Sequence, residues 1–239
     1  MIGAGFTHLA EVGSTNDWLL ARTSELPDGH WVIADRQTAG RGRRGRAWGD
    51  GAGNLMASVL VRAEGPMQQL SFVAALALHT ALAASGGQGG DPPVPRFLLK
   101  WPNDLLLDGL KVSGILLERS GEALVIGLGV NIASSPDTTE RPAISLAAAG
   151  LPAPAPLDLL ARLMPAFAEY RGLWQTQGFD PIRTRWLARA AGVGDRITAR
   201  LGTETLEGVF EGLEPDGALA LRLDDGQLRP VHAGEVFAL

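Results

Sequence analysis

The sequence contains no cysteine, and two further absences narrow the class of protein. A chain without thiols has neither disulfides nor thiolate metal sites, and this composition fits a reducing compartment. The first residues lack the basic start and the apolar run of a signal peptide. No uninterrupted apolar run approaches the roughly 18 residues that indicate a membrane-spanning helix. We therefore expect a cytoplasmic protein that does not associate with membranes.

Positive charge is also scarce. Lys and Arg number 21 against 26 Asp and Glu, so the net charge is −5. An acidic chain lacks the basic surface that is typical of nucleic-acid binding. No helix-turn-helix pattern precedes Ser14, and DNA is not expected as a partner. The 239 residues, 46% of them hydrophobic, suffice for one large domain or for a large and a small one.

Strand and helix patterns alternate through the first three quarters of the chain. Strands are predicted at 31–35, 55–61, 97–100 and 123–132, with a hairpin over 105–118 around an Asp-Gly pair. Helices are predicted at 71–84, 157–174 and 182–190. Ser71 is expected to cap the first of these helices, and Pro165 predicts a kink or break in the second.

The pattern of the sequence changes near the C-terminus. From Val193 onward, short alternating segments are joined by Asp-Gly turns at 216–217 and 225–226. Five short strands in so few residues predict a small barrel. We place the boundary near Ala191, so that the predicted domains are residues 1–191 and 192–239.

Four arginines and three glycines are concentrated in the segment 40–48, GRGRRGRAW. Glycine lets the backbone approach a ligand closely, and neighbouring guanidinium groups repel one another unless an anion is present. Backbone amides and guanidinium groups together suit a polyphosphate or an acyl phosphate, and Trp48 offers a flat face for stacking. The glycine spacing fits neither a P-loop nor a dinucleotide fingerprint. Taken alone, the segment equally fits a flexible basic loop or an RNA-binding element.

Other motifs accompany this segment in a fixed order. KWPND occupies 100–104, KVSG 111–114 and GLGVN 127–131, while STN at 14–16 and Gln37 lie upstream. In this combination the sequence resembles the biotin–protein ligase family over essentially its whole length. The resemblance implies an α/β (α+β) fold: a mixed β-sheet catalytic domain with helices on one face, plus a small C-terminal SH3-like β-barrel.

The resemblance also implies the reaction. Biotin would be activated by ATP as biotinyl-5′-AMP and then transferred to a lysine of a biotin carboxyl carrier protein. Mg²⁺ would bridge the phosphates with few protein ligands, and no protein metal site is predicted. Adenylation of this kind needs cations and in-line positioning more than a protein nucleophile. That requirement matches a sequence with Arg and Lys motifs and no Cys or Ser-His signature.

Roles for individual residues follow from the same resemblance. Lys111 would stabilise charge on the biotin carboxylate and the α-phosphate, Arg43 would help to close the loop over the adenylate, and Asp104 would orient the carrier lysine. The predicted biotin-binding residues are Ser14, Thr15, Asn16, Gln37, Gly40, Arg41, Arg43, Lys111, Gly114 and Gly129. The predicted ATP- and adenylate-binding residues are Arg41, Arg43, Arg46, Trp48, Lys100, Asn103, Lys111 and Asn131.

Several of these residues also have a purely structural interpretation. Ser14 precedes an apolar helical run and fits a helix N-cap, and the Asn103-Asp104 pair fits a simple turn. Lys100 ends an apolar strand, where it either extends to solvent or meets an anion. Gly127 and Gly129 interrupt a strand, which usually marks the close approach of a ligand or of another backbone.

Three alternative functions remain to be compared with the biotin ligase. A lipoate ligase or lipoyl transferase would share the fold but does not carry the GRGRRGRAW motif. A non-enzymatic RNA-binding module is disfavoured by the acidic composition. A ligase that doubles as a transcriptional repressor would need a DNA-binding domain. The sequence leaves open the identity of the carrier protein and whether the chain forms a homodimer.

Overall fold

The computed structural model describes residues 5–49, 51–62, 65–83, 96–136, 142–202 and 204–238. The strands are β1 (Phe6–Val12), β2 (Trp31–Gln37), β3 (Leu55–Arg62), β4 (Phe97–Lys100), β5 (Asp104–Leu107), β6 (Leu110–Ser120), β7 (Ala123–Val130), β8 (Arg196–Leu201), β9 (Glu204–Leu213), β10 (Leu219–Arg222), β11 (Leu228–Val231) and β12 (Glu235–Ala238). The α-helices are α1 (Thr15–Leu20), α2 (Leu70–Ala83), α3 (Pro156–Gln177) and α4 (Asp180–Leu187).

The larger sheet is mixed. Its seven strands follow the order β1-β2-β3-β7-β6-β5-β4. Strands β1 and β2 are parallel, and every other neighbouring pair is antiparallel. Each strand predicted from the sequence is present, whereas β1 was not predicted. This edge strand alternates exposed and half-buried residues, so it lacks the apolar run by which buried strands are recognised.

The two faces of this sheet are covered differently. Trp31 on β2 and Val59 on β3 point into the main core with α2 and α3, where the rings of Trp31 and Phe167 meet edge to face at 5.5 Å. Because side chains alternate along a strand, Val32 and Leu60 point the other way and pack against α1. The long helices therefore cover one face, as predicted, and the short α1 lies on the opposite face.

The C-terminal strands form a second, five-stranded antiparallel sheet in the order β11-β10-β9-β8-β12. Both predicted Asp-Gly turns are present, with Gly217 and Gly226 at φ values of 94° and 83° that favour glycine. The five short strands predicted after residue 192 are confirmed, as is the mixed α/β architecture of the whole chain.

One hydrophobic core continues across the predicted domain boundary. Phe72 of α2 contacts Phe179 and Trp186 at centroid distances of 5.3 and 5.4 Å. The indole nitrogen of Trp101 donates to the carbonyl of Gly217 in the small sheet at 3.2 Å. Apolar residues of the small sheet, such as Phe210, belong to the same core. The small sheet is thereby packed against the end of the larger one at which the KWPND segment lies.

The break that was one alternative at Pro165 and the cap predicted at Ser71 are both absent. Helix α3 continues through Pro165 without a break. The proline costs one backbone hydrogen bond, and burial of Leu159, Leu163 and Phe167 on both sides offsets that loss. Ser71 is not a cap, because α2 begins at Leu70 after a turn of 3-10 helix. The Ser71 hydroxyl instead donates to the carbonyl of Pro102 at 3.3 Å.

Among the residues described, no helix has the length and apolarity needed to span a bilayer.

Replacing Trp186 tests the packing of α4 against α2. Trp186 is 1% exposed, and Trp186→Ala leaves a cavity between α2 and α4. We expect the free energy of unfolding, measured by urea titration, to fall by about 3–5 kcal/mol. Leu228→Ala, at a position 47% exposed, is the control and should stay within about 0.5 kcal/mol. A loss below about 1 kcal/mol for Trp186→Ala would contradict this packing.

Candidate active site

A cavity of about 680 Å³ lies over the larger sheet, between the first turn of α1, the arginine loop (residues 40–48) and the ends of β5 to β7. Its volume is that of a small-molecule site. It brings together most of the residues predicted from the sequence: Ser14, Thr15, Asn16, Gln37, Arg41, Arg43, Arg46, Trp48, Asn103, Asp104, Lys111, Gly114, Gly129 and Asn131.

Two predicted residues lie beside the cavity wall instead. A Cβ atom at Gly40 would come within 2.7 Å of the Trp48 carbonyl oxygen, so glycine is needed where the two ends of the loop cross. The Lys100 ammonium lies 5.6 Å from the ring centroid of Phe237, next to the small sheet. The ligand-binding roles of both residues stay predictions.

The first turn of α1 closes one end of the cavity with buried polar groups. Ser14 caps the helix, and its hydroxyl accepts from the Asp17 backbone amide at 3.5 Å. The amide of Thr15 donates to Oε1 of Gln37 at 2.7 Å, and the Thr15 hydroxyl lies within hydrogen-bond distance of both Gln37 Oε1, at 2.9 Å, and the Ser58 hydroxyl, at 2.7 Å. Ser58 of β3 donates to Oδ1 of Asn16 at 2.6 Å. Ser58 was not predicted, because an apolar strand sequence gives no sign that its one serine faces a site.

A floor without side chains lies next to this polar cluster. Gly127 and Gly129 share one face of β7, and Gly114 of β6 is the partner of Gly129. A Cβ atom at Gly127 would come within 2.5 Å of Asn16 Oδ1, and one at Gly129 would overlap the indole of Trp48. A close approach does occur at these glycines, but the side chains of Asn16 and Trp48 make it, and not the ligand or the second backbone that was predicted.

The arginine loop folds back on itself as a small hairpin. Arg41 and Ala47 form a bridge, and Arg44 and Gly45 make the turn with φ values of 58° and 71°. Trp48 is thereby returned to the glycine floor, where its amide donates to the Gly40 carbonyl at 2.9 Å.

Two of the loop arginines, Arg41 and Arg46, form ion pairs with carboxylates of the protein. Arg41 makes two hydrogen bonds with Asp17, at 2.6 and 2.5 Å, and one with Glu118 at 3.2 Å. Its guanidinium lowers the pKa of the Asp17 carboxyl. Arg46 pairs with Glu235 of the small sheet.

Arg43 is held differently from its neighbours. Its guanidinium donates to Oδ1 of Asn103 at 3.0 Å, and Asn103 in turn donates to the Ile115 carbonyl at 2.7 Å. Burial lowers the pKa of the Arg43 guanidinium. The carboxylates of Asp17, Glu118 and Glu235 were all missed by sequence reasoning, which expected a ligand to supply the anions.

Lys111 and Asp104 form an ion pair within the cavity. Nζ of Lys111 lies 2.6 Å from Oδ1 of Asp104, whose side chain is 5% exposed. Strands β5 and β6 shift register between Leu105 and Leu106, and this irregularity separates the pairing of Asp104 from that of Lys111. The pair holds an ammonium group next to Gly114, where the glycine floor and Trp48 of the loop meet.

Comparison with known proteins identifies the family. The sequence profile of the biotin/lipoate A/B protein ligase family matches residues 9–131, and that of the biotin protein ligase C-terminal domain matches residues 192–239. The chain belongs to the biotin–protein ligase family.

Curated relatives and solved structures agree with this family. The chain is 44% identical to the biotin–[acetyl-CoA-carboxylase] ligase of Paracoccus denitrificans, with 96% of this chain and 98% of that protein covered. It is 34% identical to the ligase of that name from Mycobacterium tuberculosis, with 99% and 91% covered. The biotin protein ligase of Aquifex aeolicus, solved with biotin and ATP, superposes with a TM-score of 0.85 at 26% identity, over 98% and 99% of the chains.

Gly129→Ala tests the contact between the loop and the floor of the ligase. The added methyl group overlaps the indole of Trp48, which must leave. Loss of that packing, roughly 1.5 kcal/mol, should speed trypsin cleavage at the loop arginines about tenfold in the ligand-free protein. Gly172→Ala, where a Cβ atom meets nothing within 4 Å, is the control. Equal cleavage of Gly129→Ala and wild type would contradict the contact.

Proposed function

We propose that this chain works as a biotin–[acetyl-CoA-carboxylase] ligase, which forms biotinyl-5′-AMP from biotin and ATP and passes biotin to a lysine of a biotin carboxyl carrier protein. One observation carries the proposal: a buried polar cluster, an apolar floor of glycines and a set of cations line one cavity. Biotin has the matching parts in the same order, namely a ureido group, an apolar ring with its chain, and a carboxylate.

The polar end of the cavity suits the ureido group. That group has one carbonyl oxygen, which accepts hydrogen bonds, and two N–H groups, which donate them. Hydroxyl and amide groups of Ser14, Thr15, Asn16 and Gln37 offer both kinds of partner at the buried end. Trp48, Met56 and Leu128 also line the cavity and would contact the rings, and a few polar groups at the end of an apolar slot are typical of such sites.

The cations suit the adenylation step. A biotin carboxylate oxygen attacks the α-phosphate of ATP, the bond to the β-phosphate breaks, and pyrophosphate leaves. Negative charge grows on phosphate oxygens during this step, and Lys111, Arg43 and Arg46 line the cavity where they would meet it. Catalysis is then electrostatic, and the ion pair with Asp104 keeps the Lys111 ammonium aimed into the cavity.

The second step transfers biotin to the carrier. The ε-amine of a carrier lysine attacks the carbonyl carbon of biotinyl-5′-AMP, an amide forms, and AMP leaves. Asp104, already bonded to Lys111, is the carboxylate we assign to orienting that amine. This assignment rests on the position of Asp104 in the cavity, next to the ammonium group of Lys111.

The proposal includes Mg²⁺ as the ion that accompanies ATP. The ion would be held mainly by phosphate oxygens, and the cavity carboxylates Asp104 and Glu235 can each offer a further oxygen ligand. We also propose that residues 1–191 and 192–239 act as the catalytic and the C-terminal domain. A cytoplasmic location is proposed from the lack of cysteine.

Exchange between ATP and labelled pyrophosphate tests the proposed function. Biotin should support exchange and lipoate should not, because the lining of the cavity matches a ureido ring. Lys111→Ala should lower biotin-dependent exchange by about two to three orders of magnitude, since it removes a cation that meets the developing charge. An unchanged melting curve shows that the variant is folded. Exchange with lipoate and none with biotin would refute the proposal.

Arg43→Gly should make the enzyme release its reactive intermediate. The change removes a loop arginine that bonds to Asn103, and one such charge-assisted contact is worth roughly 1.5–3 kcal/mol. Biotinyl-5′-AMP should then escape about ten to a hundred times faster and label lysines of a bystander protein such as serum albumin. Arg44→Gly is the matched control, because exposed Arg44 has a φ of 58° that glycine adopts readily. Bystander labelling by Arg43→Gly no greater than by Arg44→Gly would exclude a retention role.

A further inference from the structure

The carboxylate of Glu118, which was not among the predicted site residues, links the polar cluster to the arginine loop. Glu118, near the end of β6, accepts a hydrogen bond from Nδ2 of Asn16 at 2.6 Å through one oxygen. Its other oxygen accepts from Arg41 at 3.2 Å. Asn16 is 3% exposed, whereas the Glu118 side chain is 27% exposed. A single side chain therefore contacts both the first turn of α1 and the arginine loop.

Glu118 fixes which way the Asn16 amide faces. An asparagine amide donates from its nitrogen and accepts at its oxygen, while an ionised carboxylate only accepts. The short contact with Glu118 is therefore made by the nitrogen, and the oxygen is left to accept from Ser58 at 2.6 Å. Rotating the amide by half a turn would bring two acceptors together at Glu118.

We propose that Glu118 is a positioning residue for biotin, which sets the pattern of donor and acceptor groups that Asn16 presents to the ureido group. The inference rests on the proposed function, because it needs biotin in this cavity. Asn16 lies against Gly127 on the cavity floor, so the orientation of its amide decides what a ligand meets there. Because Glu118 also accepts a hydrogen bond from Arg41, it links the proposed ureido site to the arginine loop.

Glu118→Gln tests this role without changing the size of the side chain. A glutamine amide can donate as well as accept, so it satisfies Asn16 in either orientation. We expect the KM for biotin in pyrophosphate exchange to rise about tenfold, with the KM for ATP within about twofold of wild type. Glu122→Gln makes the same charge change on an exposed residue between β6 and β7 and should leave both constants unchanged.

A swapped pair separates positioning from a purely structural effect. In Asn16→Asp the residue faces Glu118 with a second carboxylate, so the KM for biotin should rise further. In the double variant Asn16→Asp/Glu118→Gln, the glutamine amide donates to the new aspartate, and Ser58 can still donate to its other oxygen. We expect the double variant to recover about tenfold in KM relative to the product of the two single effects.

Two results would overturn the inference. One is a KM for biotin in Glu118→Gln within twofold of wild type. The other is a double variant whose KM for biotin rises by the product of the two single-variant factors. If Glu118→Gln does not fold, Glu118→Asp keeps the charge but shortens the reach to Asn16, and the same criteria apply to it. Biotin-dependent exchange in the wild type is judged separately: its absence refutes the proposed function, whereas its presence with unaffected variants refutes only the role of Glu118.

Discussion

The whole site depends on the close approach of two segments to the bare backbone of β7. Asn16 and Trp48 both lie where a Cβ atom at Gly127 or Gly129 would be. With any side chain there, the first turn of α1 and the arginine loop could not both reach the sheet. The cavity, the polar cluster and the placement of the cations all follow from this lack of side chains on one face of one strand.

Charge pairing gives the arginine loop a defined place. Arg43 and Arg46 repel each other, while Asp17 and Glu118 pair with Arg41 and Glu235 pairs with Arg46. Exposed pairs of this kind are worth about 0–1 kcal/mol each, so a phosphate or carboxylate of a substrate can replace them at little cost. The carboxylates therefore hold the guanidinium groups in place, and in the proposed function they would give way to the anions of the substrates.

Local patterns predicted the elements and the cationic side of the site, and distance along the chain explains what they missed. The apolar runs of β3 and β7 and the Asp-Gly turns are local signals, and they were sufficient. The partners of the arginines are not local: Glu118 lies 77 positions from Arg41, and Glu235 lies 189 from Arg46. The continuity of α3 through Pro165 is likewise decided by burial against α2 and the sheet, which a helix pattern does not contain.

The balance of charge in the cavity bears on how substrates bind. Four cations line the cavity, Arg41, Arg43, Arg46 and Lys111, and two carboxylates, Asp104 and Glu235. The lining therefore carries more positive than negative charge, although Arg41, Arg46 and Lys111 each pair with a carboxylate of the protein. In the proposed function, substrate anions would take over cations that already have partners, so affinity would depend on how accurately each pair is placed. If the proposed function holds, a carboxylate that bonds to both Asn16 and Arg41 would for this reason matter to ligand binding as much as the cations themselves.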